Sequence, residues 1–324
     1  MSVIASRYRG TVRSWELWNE PDNRDYWRGS PKQFARMFTA AARAVRKADP
    51  DAVVVLGGLA HGPDSSFFNA ITANRRLSGY FDVLNFHGYF ETWDSTPAEE
   101  YLDRINGYAA AVGSASPDRT PDMWLAEFGY SSGKVARKAG ATGSAVTDFH
   151  SPEFQAVALL RHHILALAAE KLSLTAWFRI RDLNQAEQVI GDDHNRHFGI
   201  VDAAGRPKPA FEALRLWQQL FGQAVRRVPI SVSRSRRAGT QAFAFERKDG
   251  TLIIAAWEPR IPPAQIDSHA APAETTVEIQ LSEAFSGTLR MLAPAAAIGE
   301  TTFENGTVTL AMTDSISIAL LRRR

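Results

Sequence analysis

The chain has 324 residues, 45% apolar and 22% charged, with 37 Lys and Arg against 35 Asp and Glu. A formal charge of +2 spread over interspersed acids and bases excludes the basic footprint of a nucleic-acid binder, and the Arg226-Arg227 and Arg236-Arg237 pairs are too sparse to supply one. The absence of cysteine excludes disulfides and thiol chemistry without naming a compartment, no apolar run suits a membrane span, and the length allows a large core.

Residues 1–10 read as the end of a helix, closing at Arg7-Tyr8-Arg9-Gly10. Val12–Trp18 mixes β-branched and large aromatic residues, which suits a buried strand, and Pro21 lacks the N–H that a continuing ladder needs. Glu20 therefore stands where a strand empties into a loop, with Asn19 beside it offering both a donor and an acceptor. At this point two readings stand: an acidic group at the concave end of a barrel sheet, or a turn in which Asn19 and Asp22 cap the next helix.

A helix follows over Pro31–Lys47, with proline in its first turn and Phe34, Met37 and Phe38 on one side. Ala52–Gly58 is a continuous apolar strand of the parallel type, Phe67–Arg76 a helix, Phe81–His87 a strand and Pro97–Val112 a helix. Met123-Trp124-Leu125-Ala126 then runs into Glu127, followed by loop residues from Gly129 to Gly133. Ser151–Lys171 is a long helix, Leu172–Phe178 a strand and Pro207–Leu220 a last helix. This alternation predicts an α/β domain over residues 1–221.

Two glutamates now end two strands, three strand-helix units apart. Glycoside hydrolysis needs two such carboxyls, one protonated to assist the leaving oxygen and one ionised to attack the anomeric carbon.

With these residues in hand, a resemblance emerges. Trp15-Glu16-Leu17-Trp18-Asn19-Glu20-Pro21 together with Trp124-Leu125-Ala126-Glu127-Phe128-Gly129 resembles the clan of retaining glycoside hydrolases on (β/α)8 barrels. Within it, the chain is most similar to the β-xylosidase and α-L-iduronidase family (family 39) and to related cellulase-like endoglycosidases. The resemblance covers residues 5–220 and implies Glu20 as acid/base on the fourth strand, Glu127 as nucleophile on the seventh and Asn19 as the partner of the sugar 2-hydroxyl. It implies that His87 and Tyr89 hydrogen-bond the nucleophile or the sugar, and that Trp177 forms an aromatic platform under it. A core histidine and a packed indole are the alternatives for His87 and Trp177.

The chain departs from that pattern in having five strand-helix units where a closed barrel of about 250 residues has eight. Only strands four to eight of the family are expected, leaving Val12–Trp18 and Leu172–Phe178 as open apolar edges. The expectation is an N-terminally shortened product, or one completed by a second chain, with self-association through the open edges. The N-terminus carries no apolar signal core, so the chain as it stands reads as cytoplasmic, or as secreted if a front segment once preceded it.

Arg179, Arg181, Asp182 and Asn184 form a polar loop that either reaches substrate or is merely solvated. Asp192-Asp193-His194-Asn195-Arg196-His197 matches no ligand spacing of known geometry, so neither metal nor cofactor is expected. His162-His163 read as packing or surface residues, and residues 197–211 as structural. Residues 222–324 read as an all-β sandwich, with hairpin signals at Lys248-Asp249-Gly250 and Asn305-Gly306. The expected function is retaining hydrolysis of O-glycosides. The alternative is an inactive barrel remnant that binds carbohydrate or a protein partner. Xylosides, glucosides, uronides and exopolysaccharides all fit the motifs.

Overall fold

The computed structural model describes residues 1–73, 77, 79–93, 96–115, 120–133, 150–235, 239–258, 275–281, 287–292, 297–303, 306–312 and 316–323. The loop expected over Pro259–Pro272, Asn74–Arg76 of the expected second helix and Asn305 of the expected turn lie outside them. The described chain divides into two units: Met1–Phe90, Glu100–Gly129 and Leu165–Phe178 in the first, and Glu91–Glu99, Tyr130–Ile164 and Arg179–Arg324 in the second.

The first unit is built on a five-stranded parallel sheet in the order β1-β2-β3-β4-β5, with β1 Ser14–Leu17, β2 Val53–Leu59, β3 Val83–Gly88, β4 Asp122–Phe128 and β5 Leu174–Trp177. Every pairing is parallel and joins strands consecutive in the chain, as in a (β/α) barrel. α1 is Ser2–Arg7, α2 Pro31–Ala48, α3 Ser66–Thr72, α4 Tyr101–Ala115 and α5 Pro152–Ala168, the last running from the second unit into the first. Each expected strand and helix of this region is present, displaced by a few residues at its ends.

α2 shows why the sequence folds as it does. Ser30 closes a capping box with Gln33: the Ser30 hydroxyl accepts the Gln33 N–H at 3.3 Å, and Gln33 Oε1 accepts the Ser30 N–H at 2.7 Å. Pro31 fits the first turn, where its missing N–H has no helical partner. Phe34, Ala35, Phe38, Ala42 and Val45 then form one buried stripe. At the far end Arg46 pairs with Asp82 at 2.8 Å, and the same carboxylate accepts the Val54 N–H at 2.8 Å, so one aspartate ties α2 to the entry of β2 and β3.

In the second unit, α6 spans Pro209–Phe221 and is followed, among the described residues, by nine strands. β7 Ile230–Arg234, β10 Thr275–Leu281 and β13 Thr307–Met312 form one antiparallel sheet in the order β13-β10-β7. The other, in the order β12-β11-β14-β9-β8-β6, contains β6 Val225–Val228, β8 Gln241–Arg247, β9 Leu252–Trp257, β11 Gly287–Leu292, β12 Ala297–Phe303 and β14 Ser317–Arg323. Their facing residues, among them Leu252, Ile254, Val277, Ile279, Val308, Leu310 and Leu321, form one apolar core, the interior of a β-sandwich. β14 continues to Arg323, where a polar tail was expected from Arg322 onward.

A buried ionic cluster lies in the same unit. Arg161 of α5 is 2.6 Å from Glu99 and 3.3 Å from Glu91, and Glu99 also accepts the Trp257 indole N–H of β9 at 2.7 Å. Burial alone would raise the Glu99 carboxyl, but the Arg161 charge and its hydrogen bonds outweigh that and hold it low. Among the described residues no helix is long and apolar enough to cross a membrane.

His162 and His163 are packing residues, both buried. His163 lies 2.7 Å from the Leu159 carbonyl through Nδ1, and its ring centre is 4.9 Å from that of Trp217. Burial pushes His162 well below its ordinary range and His163 down to about 4. A histidine lowered in the folded state takes up its proton on unfolding, so the stability it supports is present above about 6.5 and lost as pH falls through the folded value. Urea denaturation from pH 7 to 4 should show a loss on the order of 3 kcal/mol from His163 alone, and His163→Phe should flatten that slope.

Candidate active site

The site grows from the strained end of β1. Trp18 has φ +89° and Glu20 φ +41°, left-handed values that cost a non-glycine residue about 1–3 kcal/mol each. The neighbouring strand holds them there. The Glu20 N–H donates to the Gly58 carbonyl at 2.9 Å, and the Asp22 carboxylate accepts the Ala60 and His61 N–H groups, each at 2.9 Å. Glycine is required at the contact: a Cβ on Gly57 would stand 2.3 Å from the Trp18 carbonyl oxygen, and one on Gly58 2.0 Å from His87 Nε2.

β3 supplies the middle of the site. Asn85, His87 and Tyr89 alternate with Leu84, Phe86 and Phe90, so the polar three share one face of the strand and its extension. Asn85, fully buried, donates to Glu16 Oε1 of β1 at 2.8 Å and accepts the Ala126 N–H of β4 at 3.0 Å. Glu16 Oε1 also accepts the Gly58 N–H at 2.6 Å. One rung higher, His87 Nδ1 is 2.8 Å from Glu20 Oε1 and Nε2 is 3.6 Å from Glu127 Oε2. Above that, the Tyr89 hydroxyl donates to Glu127 Oε1. One oxygen from each glutamate and one imidazole nitrogen lie within 4.8 Å of one another.

Electrostatics follow from this crowding. Burial lowers the His87 imidazole, but the hydrogen bond to Glu20 and the charges of Glu127, Glu20 and Glu16 raise it more, and the net direction is up. Burial, then the Glu127 charge and hydrogen bond, push Tyr89 well above its ordinary value, so its hydroxyl stays a donor. Tyr26, on the turn after β1, is raised by burial and then by the charges of Glu20, Glu127 and Asp25. Among the described residues, Glu20, His87 and Glu127 are also the one group of donors close enough to share a cation. Each already has a protein partner.

The residues expected from sequence fall as follows. Glu20, His87, Tyr89 and Glu127 converge. Asn19 is exposed beside Glu20 and makes no side-chain hydrogen bond among the described residues. Trp177 ends β5, half-buried, its ring meeting Phe128 edge to face at 5.4 Å. Asp182 is held by Lys208 at 3.1 Å and by the Gly199 N–H at 2.7 Å, and Asp192 caps a short 3-10 helix over Asp193–Arg196. Both serve the fold. Asn85, Glu16, Asn23 and Tyr26 were not expected, although the polar alternation of β3 marks Asn85, because a parallel strand is usually apolar on both faces.

No family model matches the chain. In sequence it is 22% identical over 262 residues to a β-xylosidase of Geobacillus stearothermophilus, covering 76% of this chain and 47% of that protein. The chain thus spans about half the length of that curated relative. In structure it is similar to a family 39 glycoside hydrolase from Bacteroides cellulosilyticus WH2 (TM-score 0.65, 16% identity, 99% of this chain and 60% of that one). It is likewise similar to a monomeric β-xylosidase from Caulobacter crescentus CB15 (TM-score 0.63, 14% identity, 99% and 73%). A GH51 arabinofuranosidase from Xanthomonas axonopodis pv. citri gives a TM-score of 0.63 at 16% identity, over 96% and 66% of the two chains. The fold is therefore of the barrel-plus-sandwich type, with five barrel strands in the described residues, and the expected likeness to family 39-like glycoside hydrolases is borne out.

The tight seat of His87 gives a direct test. Gly58→Ala places a methyl group on its ring and should destabilise the fold by about 1–3 kcal/mol, read as a lower midpoint in thermal or urea unfolding. An unchanged midpoint would mean that His87 is free to move.

Proposed function

We propose that the chain is a retaining glycoside hydrolase in which Glu20 is the acid/base and Glu127 the nucleophile. The separation of the two carboxyl groups carries this reading. Retaining enzymes place them about 5–5.5 Å apart and inverting ones about 6.5–9.5 Å apart, and here an oxygen of each lies within 4.8 Å of the other. An inverting pair stands wider, because a water must fit between its base and the sugar.

In the first step a Glu127 oxygen attacks the anomeric carbon while Glu20 passes its proton to the glycosidic oxygen, which departs with the electron pair of the broken C–O bond. In the second, Glu20 takes a proton from water, and that oxygen displaces Glu127 from the sugar. The Tyr89 hydroxyl, held protonated, orients Glu127 and spreads its charge. His87 hydrogen-bonds Glu20 and faces Glu127, so the proton the acid needs is held between them. We assign Asn19 to the sugar 2-hydroxyl and Trp177 to the ring face. O-glycosides of pentoses come first among substrates, in line with the names of the relatives. The barrel region, residues 1–221, carries the chemistry and the sandwich, residues 222–324, accompanies it.

A second reading concerns association. Among the described residues β1 and β5 are bonded to the sheet on one side, and Leu174 of β5 is exposed. Such edges invite pairing with further strands, so we infer self-association through them.

On an aryl β-xyloside, Glu127→Ala should lower kcat by about a thousandfold or more, and Glu20→Ala should spare activated substrates, with azide restoring turnover as the glycosyl azide of retained configuration. Unchanged turnover in Glu127→Ala would sink the assignment. Sedimentation velocity should show a coefficient that rises with protein concentration, and a constant monomer value would remove the edge-pairing reading.

A further inference from the structure

We propose that Asn23 is a positioning residue that confines the acidic proton of Glu20 to the oxygen shared with His87. The inference rests on the reading of Glu20 as the acid. Asn23 Nδ2 is 2.9 Å from Glu20 Oε2, while Asn23 Oδ1 accepts the Asp25 N–H at 3.1 Å. A backbone N–H can only donate, so the amide oxygen must face Asp25 and the amide nitrogen must face Glu20. The orientation of this side chain is therefore fixed by its neighbours.

An N–H donor bonds more strongly to a bare carboxyl oxygen than to one that carries hydrogen. With Asn23 on Oε2, the proton of the neutral carboxyl sits on Oε1, which is 2.8 Å from His87 Nδ1. His87 turns its other nitrogen toward Glu127, so Oε1 is the oxygen that the ring links to the second carboxylate. Proton transfer to the leaving oxygen then breaks the Oε1–H bond and leaves a carboxylate whose Oε2 already holds the Asn23 amide donor.

Asn23 is itself held at several points. Its N–H donates to the Glu20 carbonyl at 3.0 Å, and its own carbonyl accepts the Tyr26 and Trp27 N–H groups at 3.1 and 3.0 Å. The turn over 20–27 thus folds back on the acid it serves. Removing the amide donor frees the proton to occupy Oε2 in place of the oxygen shared with His87.

Asn23→Ser keeps an oxygen for the Asp25 N–H but is too short to reach Glu20. The variant is compared with wild type on a phenyl glycoside, which needs acid assistance, and on the 2,4-dinitrophenyl glycoside of the same sugar, which does not. The expected result is a kcat loss of about tenfold or more on the phenyl substrate and of less than about threefold on the other, with KM little changed. Equal losses on both substrates, or no loss, overturn the proposal. If the serine variant does not fold, Asn23→Leu carries the same comparison. Glu20→Ala is the control. If it lacks the substrate split, or if wild type turns over neither glycoside, the reading of Glu20 falls and this inference with it. If it shows the split and Asn23→Ser does not, the role of Asn23 alone is lost.

Discussion

Two carboxylates within 4.8 Å repel by about 3 kcal/mol or more at an effective dielectric of about 20, and the architecture of the first unit answers that repulsion. His87 stands between them, 2.8 Å from one and 3.6 Å from the other, and can carry the proton that makes the group tolerable. Its place depends on a strand that alternates polar and apolar residues, and on a glycine opposite that leaves room for its ring. The rest of the site is built outward from this ring.

Below His87, Asn85 and Glu16 make a second polar rung that spans β1, β2, β3 and β4 through three hydrogen bonds. The Asn85 amide, buried with both ends satisfied, ties β3 to β1 on one side and to β4 on the other and keeps the strand ends level. Above it, the left-handed residues Trp18 and Glu20 turn the chain so that a strand-end carboxyl looks back over the sheet. Their strain is met during folding by bonds to Gly58, Ala60 and His61, so the Glu20 carboxyl is held ready in one orientation.

Much of this was legible in the sequence. Continuous apolar runs such as Val53-Val54-Val55-Leu56 can only be buried strands, and strand-end glutamates three units apart limit the fold that carries them. The supporting residues were harder to see, because their meaning lies in partners far along the chain: Asn85 meets Glu16 across 69 positions. Asn23 carries no signal of its own, since asparagine suits turns on its own account. Among the sandwich strands, β6 contains Arg226-Arg227 and β7 alternates serine with Ile230 and Val232, and such polar strands give no apolar run to read. Asn19 and Trp177 were named for a ligand, so the protein's own contacts do not mark their role.

The cluster of Glu91, Arg161, Glu99 and Trp257 bears on how such a protein can be recombined. Trp257 belongs to a sandwich strand, yet its indole bonds to a glutamate before α4 whose other partner is an arginine of α5. A sandwich exchanged for that of another protein would leave Glu99 one donor short, and a hydrogen bond to a buried charge is among the costlier ones to lose. The sandwich is therefore no interchangeable cassette: its lineage is bound to that of the helix and loop it grips, and grafts that respect the chain boundary alone would inherit a mismatched pair.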